Sequence, residues 1–128
     1  MGRKVSKDQL GSIAENIIQQ FFKKLGYGVF PNDCPQGPID LIVLNYINGK
    51  KIYVDCKQAS RREKDGEIIN RTLTPIQKKL GVHILYVDIN TYEVKKYPFE
   101  FGNKNVQGRK TINNFLEENL KWNVQMKL

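Results

Sequence analysis

The stretch Asp40-Leu-Ile-Val-Leu-Asn-Tyr-Ile-Asn-Gly-Lys-Lys-Ile-Tyr-Val-Asp-Cys-Lys57 predicts a β-hairpin. Two segments rich in β-forming residues flank Asn48-Gly49, and Asn-Gly is the preferred filling of a two-residue type I′ turn. With that turn, Val43 opposes Val54 and Asp40 opposes Lys57. The hairpin therefore forms the predicted centre of the fold.

The alternation of side chains along this hairpin separates polar from apolar residues. Successive side chains in a strand point to opposite faces, so Asp40, Asp55 and Lys57 are expected on one face. Asp40 and Asp55 become diagonal neighbours, with Cβ atoms on the order of 7 Å apart. The other face carries an apolar strip for core packing, formed by Leu41, Val43, Val54 and Cys56.

Two carboxylates beside a lysine suit metal-assisted hydrolysis of a phosphodiester. Asp40 and Asp55 could share one Mg²⁺, which prefers oxygen ligands and reverses the repulsion between carboxylates and phosphate. The ammonium of Lys57 could orient the attacking water and offset charge on the phosphate. The competing interpretation is a plain cross-strand ion pair between Asp40 and Lys57, worth under about 1 kcal/mol, which leaves Asp55 without a purpose.

The composition favours a nucleic-acid partner. The 128 residues include 21 Lys and Arg against 13 Asp and Glu, a net charge of +8 that attracts polyanions. An anionic membrane surface is the alternative, but no basic amphipathic anchor and no apolar run of spanning length stand out. Two cysteines and one histidine are too few for a disulfide framework or a four-ligand zinc site. The polar N-terminus leads us to expect a cytoplasmic protein that does not bind membranes.

The remaining patterns predict one α/β domain over residues 1–128, with a mixed sheet flanked by helices. Its core covers about 6–97, and a C-terminal helical extension covers about 110–125. A helix follows Ser6 and ends at Gly26, and a second helix begins at Thr74-Pro75. Strands are expected at 27–30, at 83–88 and, paired with the latter, at 91–97.

Two motifs at the hairpin resemble the bipartite signature of the PD-(D/E)XK nuclease superfamily. They are Gly37-Pro-Ile-Asp40 and Val54-Asp-Cys-Lys57, and the order helix, three strands, helix, strand is similar to the αβββαβ core of restriction-endonuclease-like folds. Position 39 is Ile where the signature has Pro, and position 55 is Asp where Glu is commoner. The resemblance implies a Mg²⁺-dependent DNA endonuclease in which Mn²⁺ substitutes for Mg²⁺.

The resemblance also implies a ligand set. Glu15 occupies the place of an acidic residue on the family's first helix, although its helical position alone equally fits a solvated flank. Glu15, Asp40, Asp55 and the main-chain carbonyl of Cys56 would bind the metal, and Lys57 would assist the water. These four side chains and this carbonyl are the predicted catalytic and metal-binding groups.

Further expectations concern DNA contacts and assembly. Candidate DNA-binding residues, each of which could equally be an ordinary surface residue, are Gln58, Arg61, Arg62, Lys64, Arg71, Gln77, Lys78 and Lys79. The size, the basic character and the early helical Glu resemble Holliday junction resolvases of the archaeal type, and this resemblance implies a homodimer; small homing or restriction-like endonucleases are the alternative. A DNA-binding module that keeps the fold without catalysis is the alternative from another functional class.

Overall fold

A computed structural model describes residues 7–34, 37–60, 71–96 and 112–121. It confirms the predicted mixed α/β architecture, a five-stranded sheet flanked by helices. The elements in chain order are α1 Lys7–Lys24, β1 Gly28–Pro31, β2 Leu41–Leu44, β3 Lys51–Gln58, α2 Pro75–Leu80, β4 Val82–Asp88, β5 Glu93–Lys96 and α3 Ile112–Asn119.

The sheet has the strand order β1-β2-β3-β4-β5. Its neighbours are antiparallel except for β3 and β4, which run parallel. A parallel pair needs a crossover connection, and α2 lies in that connection, between β3 and β4 along the chain. The predicted pairing of β4 with a following strand is confirmed, over Glu93–Lys96.

Local sequence signals set the ends of two helices. Gly26 has a φ of 92°, and its N–H donates to the Lys23 carbonyl, so α1 ends where a left-handed residue is required. Thr74 caps α2 through a capping box with Gln77, and Gly81 ends that helix with a φ of 72°. The end of α1 at Gly26 and the start of α2 at Thr74 were predicted from the sequence, whereas the stop at Gly81 was not. Ser6 lies outside the described residues.

The two faces of the sheet differ in what covers them. On the core face, the side chains of β2, β3 and β4 pack against α1 and α3. The fully buried residues of this face and of its helices include Ala14, Ile18, Phe22, Leu41, Val43, Val54, Leu85, Val87 and Leu120. The opposite face, called the site face below, carries Tyr53, Asp55 and Lys57 of β3.

The predicted two-residue turn is wrong. Leu41 pairs with Val54 and Leu44 with Lys51, so the connection is longer and Asp40 does not oppose Lys57. The Asn45 side chain shapes this longer loop by accepting a hydrogen bond from the Ile47 N–H at 2.9 Å, and its amide donates to the Leu120 carbonyl at 2.8 Å. The pairing shifts by two residues, which preserves the face to which each side chain points.

The C-terminal helix belongs to the core. Phe115, Leu116 and Leu120 are at most 2% exposed and pack within the same cluster as α1 and the sheet. The helix in the C-terminal extension therefore packs into the same hydrophobic core as the sheet. In the described part of the chain, no helix has the length and apolar character needed to cross a membrane.

Candidate active site

Asp40 lies in a bend immediately before β2, held by the backbone on both sides. Its N–H donates to the Val54 carbonyl at 2.9 Å, and its carbonyl accepts from the Asn32 N–H at 2.9 Å. The carboxylate Oδ2 accepts a hydrogen bond of 2.7 Å from the Cys56 N–H. The side chain is therefore fixed over β3, where the predicted pairing also placed it, although in a different register.

Asp55 and Lys57 project from the same face of β3. Lys57 Nζ lies 3.6 Å from Asp55 Oδ2, and the side chains of Lys57 and Asp55 are 43% and 11% exposed. The lysine thus has access to solvent while the carboxylate is largely buried. The ion pair of Lys57 is therefore formed with Asp55 on the same strand, whereas the alternative considered from the sequence was a cross-strand pair with Asp40.

The carboxyl groups of Asp40 and Asp55 interact directly. Burial, a side-chain hydrogen bond with Asp40 and the Asp40 charge raise the pKa of Asp55 to about 6, against the opposing effects of Lys57 and Gln77. Two carboxyl groups this close disfavour a second negative charge unless a cation or a proton stands between them. The pair is accordingly a place of concentrated negative potential.

Glu15 extends this negative potential from the other layer of the fold. It is half-buried on α1, and burial followed by the Asp40 charge raises its pKa. Burial also raises the pKa of the Cys56 thiol, reinforced by Asp40, Glu15 and Asp55 in that order. Glu15 therefore lies within electrostatic range of Asp40.

The donor set of this cluster suits Mg²⁺, which proteins usually hold with one or two carboxylates while water and phosphate complete the shell. Asp40 and Asp55 are two such carboxylates, because Asp40 is hydrogen-bonded to the residues on either side of Asp55. Within the described ranges, no group of three or more His, Cys, Asp or Glu side chains is arranged to hold a metal ion. The predicted third carboxylate, Glu15, is thus near the pair without completing a three-residue ligand group.

Gln77 is buried at the site rather than exposed on a surface helix, which was the alternative expected from the sequence. Its Oε1 accepts from the Thr74 N–H at 3.0 Å, and its Nε2 donates to the Pro38 carbonyl at 3.0 Å. A side-chain hydrogen bond with Gln77 also lowers the pKa of Asp55. Its amide is engaged inside the protein, so Gln77 links α2 and the segment before Asp40 to the acidic pair.

The predicted DNA contacts divide between described and undescribed residues. Arg71, Lys78 and Lys79 are exposed, and Gln58 is half-buried at the end of β3. The Arg71 N–H donates to the Tyr86 hydroxyl at 2.9 Å. This hydrogen bond attaches the backbone at Arg71, just before α2, to β4. Arg61, Arg62 and Lys64 lie outside the described residues.

Two groups at the site were not anticipated from the sequence. They are the Cys56 N–H, which holds Asp40, and the Pro38 carbonyl, which holds Gln77. Main-chain groups carry no sequence signal of their own. The spacing from Thr74 to Gln77 is, however, that of a capping box, which agrees with the predicted place of Gln77 near the start of the second helix.

Comparison with known proteins locates the fold. No protein-family model and no curated protein matches the sequence. Among solved structures, a bacterial homing endonuclease is similar, with a TM-score of 0.57 and 20% sequence identity. The match covers 73% of this chain and 65% of that protein, so the chain spans less than two thirds of the endonuclease's length. The chain therefore shares its fold with a bacterial homing endonuclease. On this fold it carries a cluster of two aspartates and one lysine.

Proposed function

We propose that this protein is a metal-dependent endonuclease that hydrolyses DNA phosphodiester bonds. The observation that carries the proposal is the placement of Asp40 beside Asp55, through hydrogen bonds to Val54 and Cys56 on either side of it, with Lys57 Nζ 3.6 Å from Asp55. Asp55 is too buried for an ordinary surface charge, and its neighbour of like charge makes the site unfavourable without a cation. The net charge of +8 supports a polyanionic substrate.

Each residue of the site has a distinct role in this proposal. Asp40 and Asp55 would hold Mg²⁺, or Mn²⁺ in its place, together with the Cys56 carbonyl, and Glu15 would act directly or through water. The bound ion would supply charge neutralisation at the phosphate and acidify a water. Lys57, which reaches solvent, would position that water and donate hydrogen bonds to the phosphate. Gln77 would keep the Asp55 carboxylate oriented toward Asp40.

The shared fold favours one class of endonuclease within this proposal. The solved structure that it resembles is of a homing endonuclease, which supports a sequence-recognising homing or restriction-like enzyme over a junction resolvase. A single domain of 128 residues has little surface for reading a long site, so we propose that it acts as a homodimer. Two copies would present one acidic pair to each DNA strand.

The experiment is a plasmid-nicking assay with Mg²⁺ that compares wild type with Asp55→Asn and Asp40→Asn. We expect each variant to cleave at least about 100-fold more slowly, because a bound metal contributes several kcal/mol to the transition state. Asp33→Asn is the matched control, since Asp33 is exposed and outside the cluster. We expect this control to cleave like wild type.

Two outcomes would contradict the proposal. If wild type and Asp55→Asn bind DNA equally and neither cleaves it, the protein is a DNA-binding module of the same fold. If both cleave at the same rate, the acidic pair is not the active site. Offering linear duplex, junction, flap and single-stranded DNA in parallel would separate the homing-like enzyme from a resolvase, since a resolvase would prefer the junction.

A further inference from the structure

Beside the acidic pair, the site face carries an exposed apolar surface that the proposed chemistry does not use. We call it the aromatic patch; it consists of Phe30, Ile42, Leu44, Tyr46 and Tyr53, with Lys51 at its border. Phe30 is 47% and Tyr46 67% exposed. Large apolar side chains grouped on a surface mark a contact site more often than single ones do.

The strand register places these residues on one face. Phe30 pairs with Ile42, and Ile42 pairs with Tyr53, so the three form a row across β1, β2 and β3. Leu44 and Lys51 form the next row. Their neighbours along the strands point to the buried core face, which fixes the direction of the patch.

Tyr46 completes the patch from the hairpin loop. A Cβ atom at Gly28 would collide with the Tyr46 ring, so the ring lies directly over the Gly28 backbone. Glycine is therefore required at this position in β1 for the ring to approach the strand this closely. The result is an aromatic surface at both ends of β1, with Phe30 at one end and Tyr46 at the other.

The patch adjoins the proposed catalytic centre. Tyr53 precedes Asp55 by two residues on the same face of β3, which separates their Cα atoms by about 7 Å. Phe30 lies in the same row as Tyr53, about 10 Å away across two strand spacings. A nucleotide strand with one phosphate at the acidic pair would therefore lay its next base or bases over this row.

The chemistry of the patch selects a base that is not paired. Aromatic side chains on an open sheet stack with nucleobases, whereas bases inside a duplex have both faces covered by their neighbours. Lys51 Nζ lies 5.7 Å from the centroid of the Tyr53 ring and supplies a cation at the border for a backbone phosphate. We propose that the aromatic patch binds an unpaired or splayed nucleotide next to the scissile phosphate, an inference that rests on the proposed nuclease function.

Charge argues against a second copy of the chain on this surface. In a twofold-symmetric contact the patch would face itself, and two chains that each carry a net charge of +8 would be brought together, with Lys51 at the border of the contact. Repulsion between like charges opposes that contact, whereas a DNA strand neutralises them. DNA is therefore the occupant that the charges favour.

The test measures DNA binding separately from cleavage. Fluorescence anisotropy with Ca²⁺ in place of Mg²⁺ would compare a duplex with the same duplex carrying a short single-stranded gap. We expect Phe30→Leu and Tyr53→Leu each to weaken binding to gapped DNA by about tenfold or more, the usual effect of losing one base stack, and to change duplex binding much less. Phe30→Trp, which keeps an aromatic ring at this position, should bind gapped DNA as tightly as wild type.

Tyr92→Leu is the matched control, because Tyr92 is 66% exposed and lies in the β4–β5 turn rather than in the patch. Equal losses for gapped and duplex DNA, or no loss with either, would overturn the inference. A change from dimer to monomer in light scattering with unaltered DNA affinity would overturn it as well, and would assign the patch to a second copy. Plasmid nicking by wild type tests the nuclease proposal independently, so failure of one is distinguishable from failure of the other.

Discussion

At the scale of one residue, Asp55 of the candidate site is expected to destabilise the folded protein at neutral pH. Its folded pKa of about 6 lies above the ordinary value of 3.8, so the folded protein holds this proton more tightly than the unfolded chain. The contribution of Asp55 to the free energy of unfolding is thus most favourable below pH 3.8 and is lost as the pH rises through about 6. At neutral pH the Asp55 carboxylate is therefore expected to lower the free energy of unfolding when no cation is bound.

We expect Asp55→Asn to be more stable than wild type at pH 7.5 in the absence of metal, by about 1 to 3 kcal/mol. Asparagine keeps the shape of the side chain and removes its charge. Urea unfolding at pH 7.5 and at pH 4 measures the difference, and the gain should shrink at the lower pH. Millimolar Mg²⁺ should raise the midpoint of wild type and leave that of Asp55→Asn unchanged.

The exposed Asp33→Asn serves again as control, with no change in stability at either pH. A variant less stable than wild type at pH 7.5 would contradict the expectation, because the carboxylate would then be stabilising as it stands. Equal responses of both proteins to Mg²⁺ would show that the ion acts elsewhere.

Single residues also mark what sequence reasoning could and could not reach. Asp40, Asp55 and Lys57 were predicted together because alternation along a strand is a strict rule. The burial of Gln77 was not predicted, because a polar residue on a short helix is usually exposed. Its position depends on the Pro38 carbonyl, 39 residues earlier in the chain, which only the folded structure brings near.

At the scale of elements, the hairpin loop and α3 stabilise one another. The side-chain amides of Asn45 and Asn48 both donate to the Leu120 carbonyl, at 2.8 and 3.0 Å, and Lys50 Nζ donates to the Lys121 carbonyl at 3.2 Å. These donors satisfy carbonyl groups at the end of α3 that the helix itself leaves open. The contact explains why the loop is wider than the predicted turn.

The register error and the correct choice of faces have the same origin. Asn48-Gly49 favours a tight turn locally, but the loop exchanges that turn for hydrogen bonds with a helix some 70 residues away. Such a contact is invisible in the hairpin sequence. Because the resulting shift is two residues, every side chain of β2 and β3 stays on its predicted face. The residues of the candidate site therefore lie on the predicted face although the predicted turn is wrong.

We expect Asn45→Ala to lower the free energy of unfolding by about 1 to 3 kcal/mol, because Asn45 is buried and its loss weakens both the loop and the end of α3. Hydrogen exchange should show the largest loss of protection in Ile112–Asn119. The control is Asn90→Ala in the exposed β4–β5 turn, where only the backbone N–H is engaged in the described contact with Asp88. Equal destabilisation by both substitutions would contradict the proposed docking.

At the scale of the whole molecule, we expect stability against acid to depend on a second titratable group, the half-buried His83. His83 packs edge-on against Phe115, with ring centroids 4.9 Å apart, where β4 meets α3. Burial lowers the pKa of His83, and the nearby Lys96 lowers it further. Lys96 itself lies over the Phe115 ring, and burial lowers its pKa too. The junction of sheet and helix therefore resists a new positive charge.

The sign of the His83 effect is opposite to that of Asp55. A histidine whose folded pKa lies below 6.5 is neutral in the folded protein and protonates more readily when unfolded. Its contribution is complete above pH 6.5 and is lost as the pH falls through the folded pKa. The two groups therefore act against each other across the mildly acidic range, and the wild-type profile of stability against pH is flattened.

We expect two substitutions to separate these opposing contributions. His83→Phe keeps an aromatic ring against Phe115 and removes the titration, so its stability relative to wild type should increase as the pH falls below 6.5. Asp55→Asn should show the reverse and lose its advantage toward acid. Urea unfolding of all three proteins from pH 4.5 to 7.5 measures both differences. Because His83 is the sole histidine of the chain, a His83→Phe difference that does not vary with pH would show that this junction does not govern acid stability.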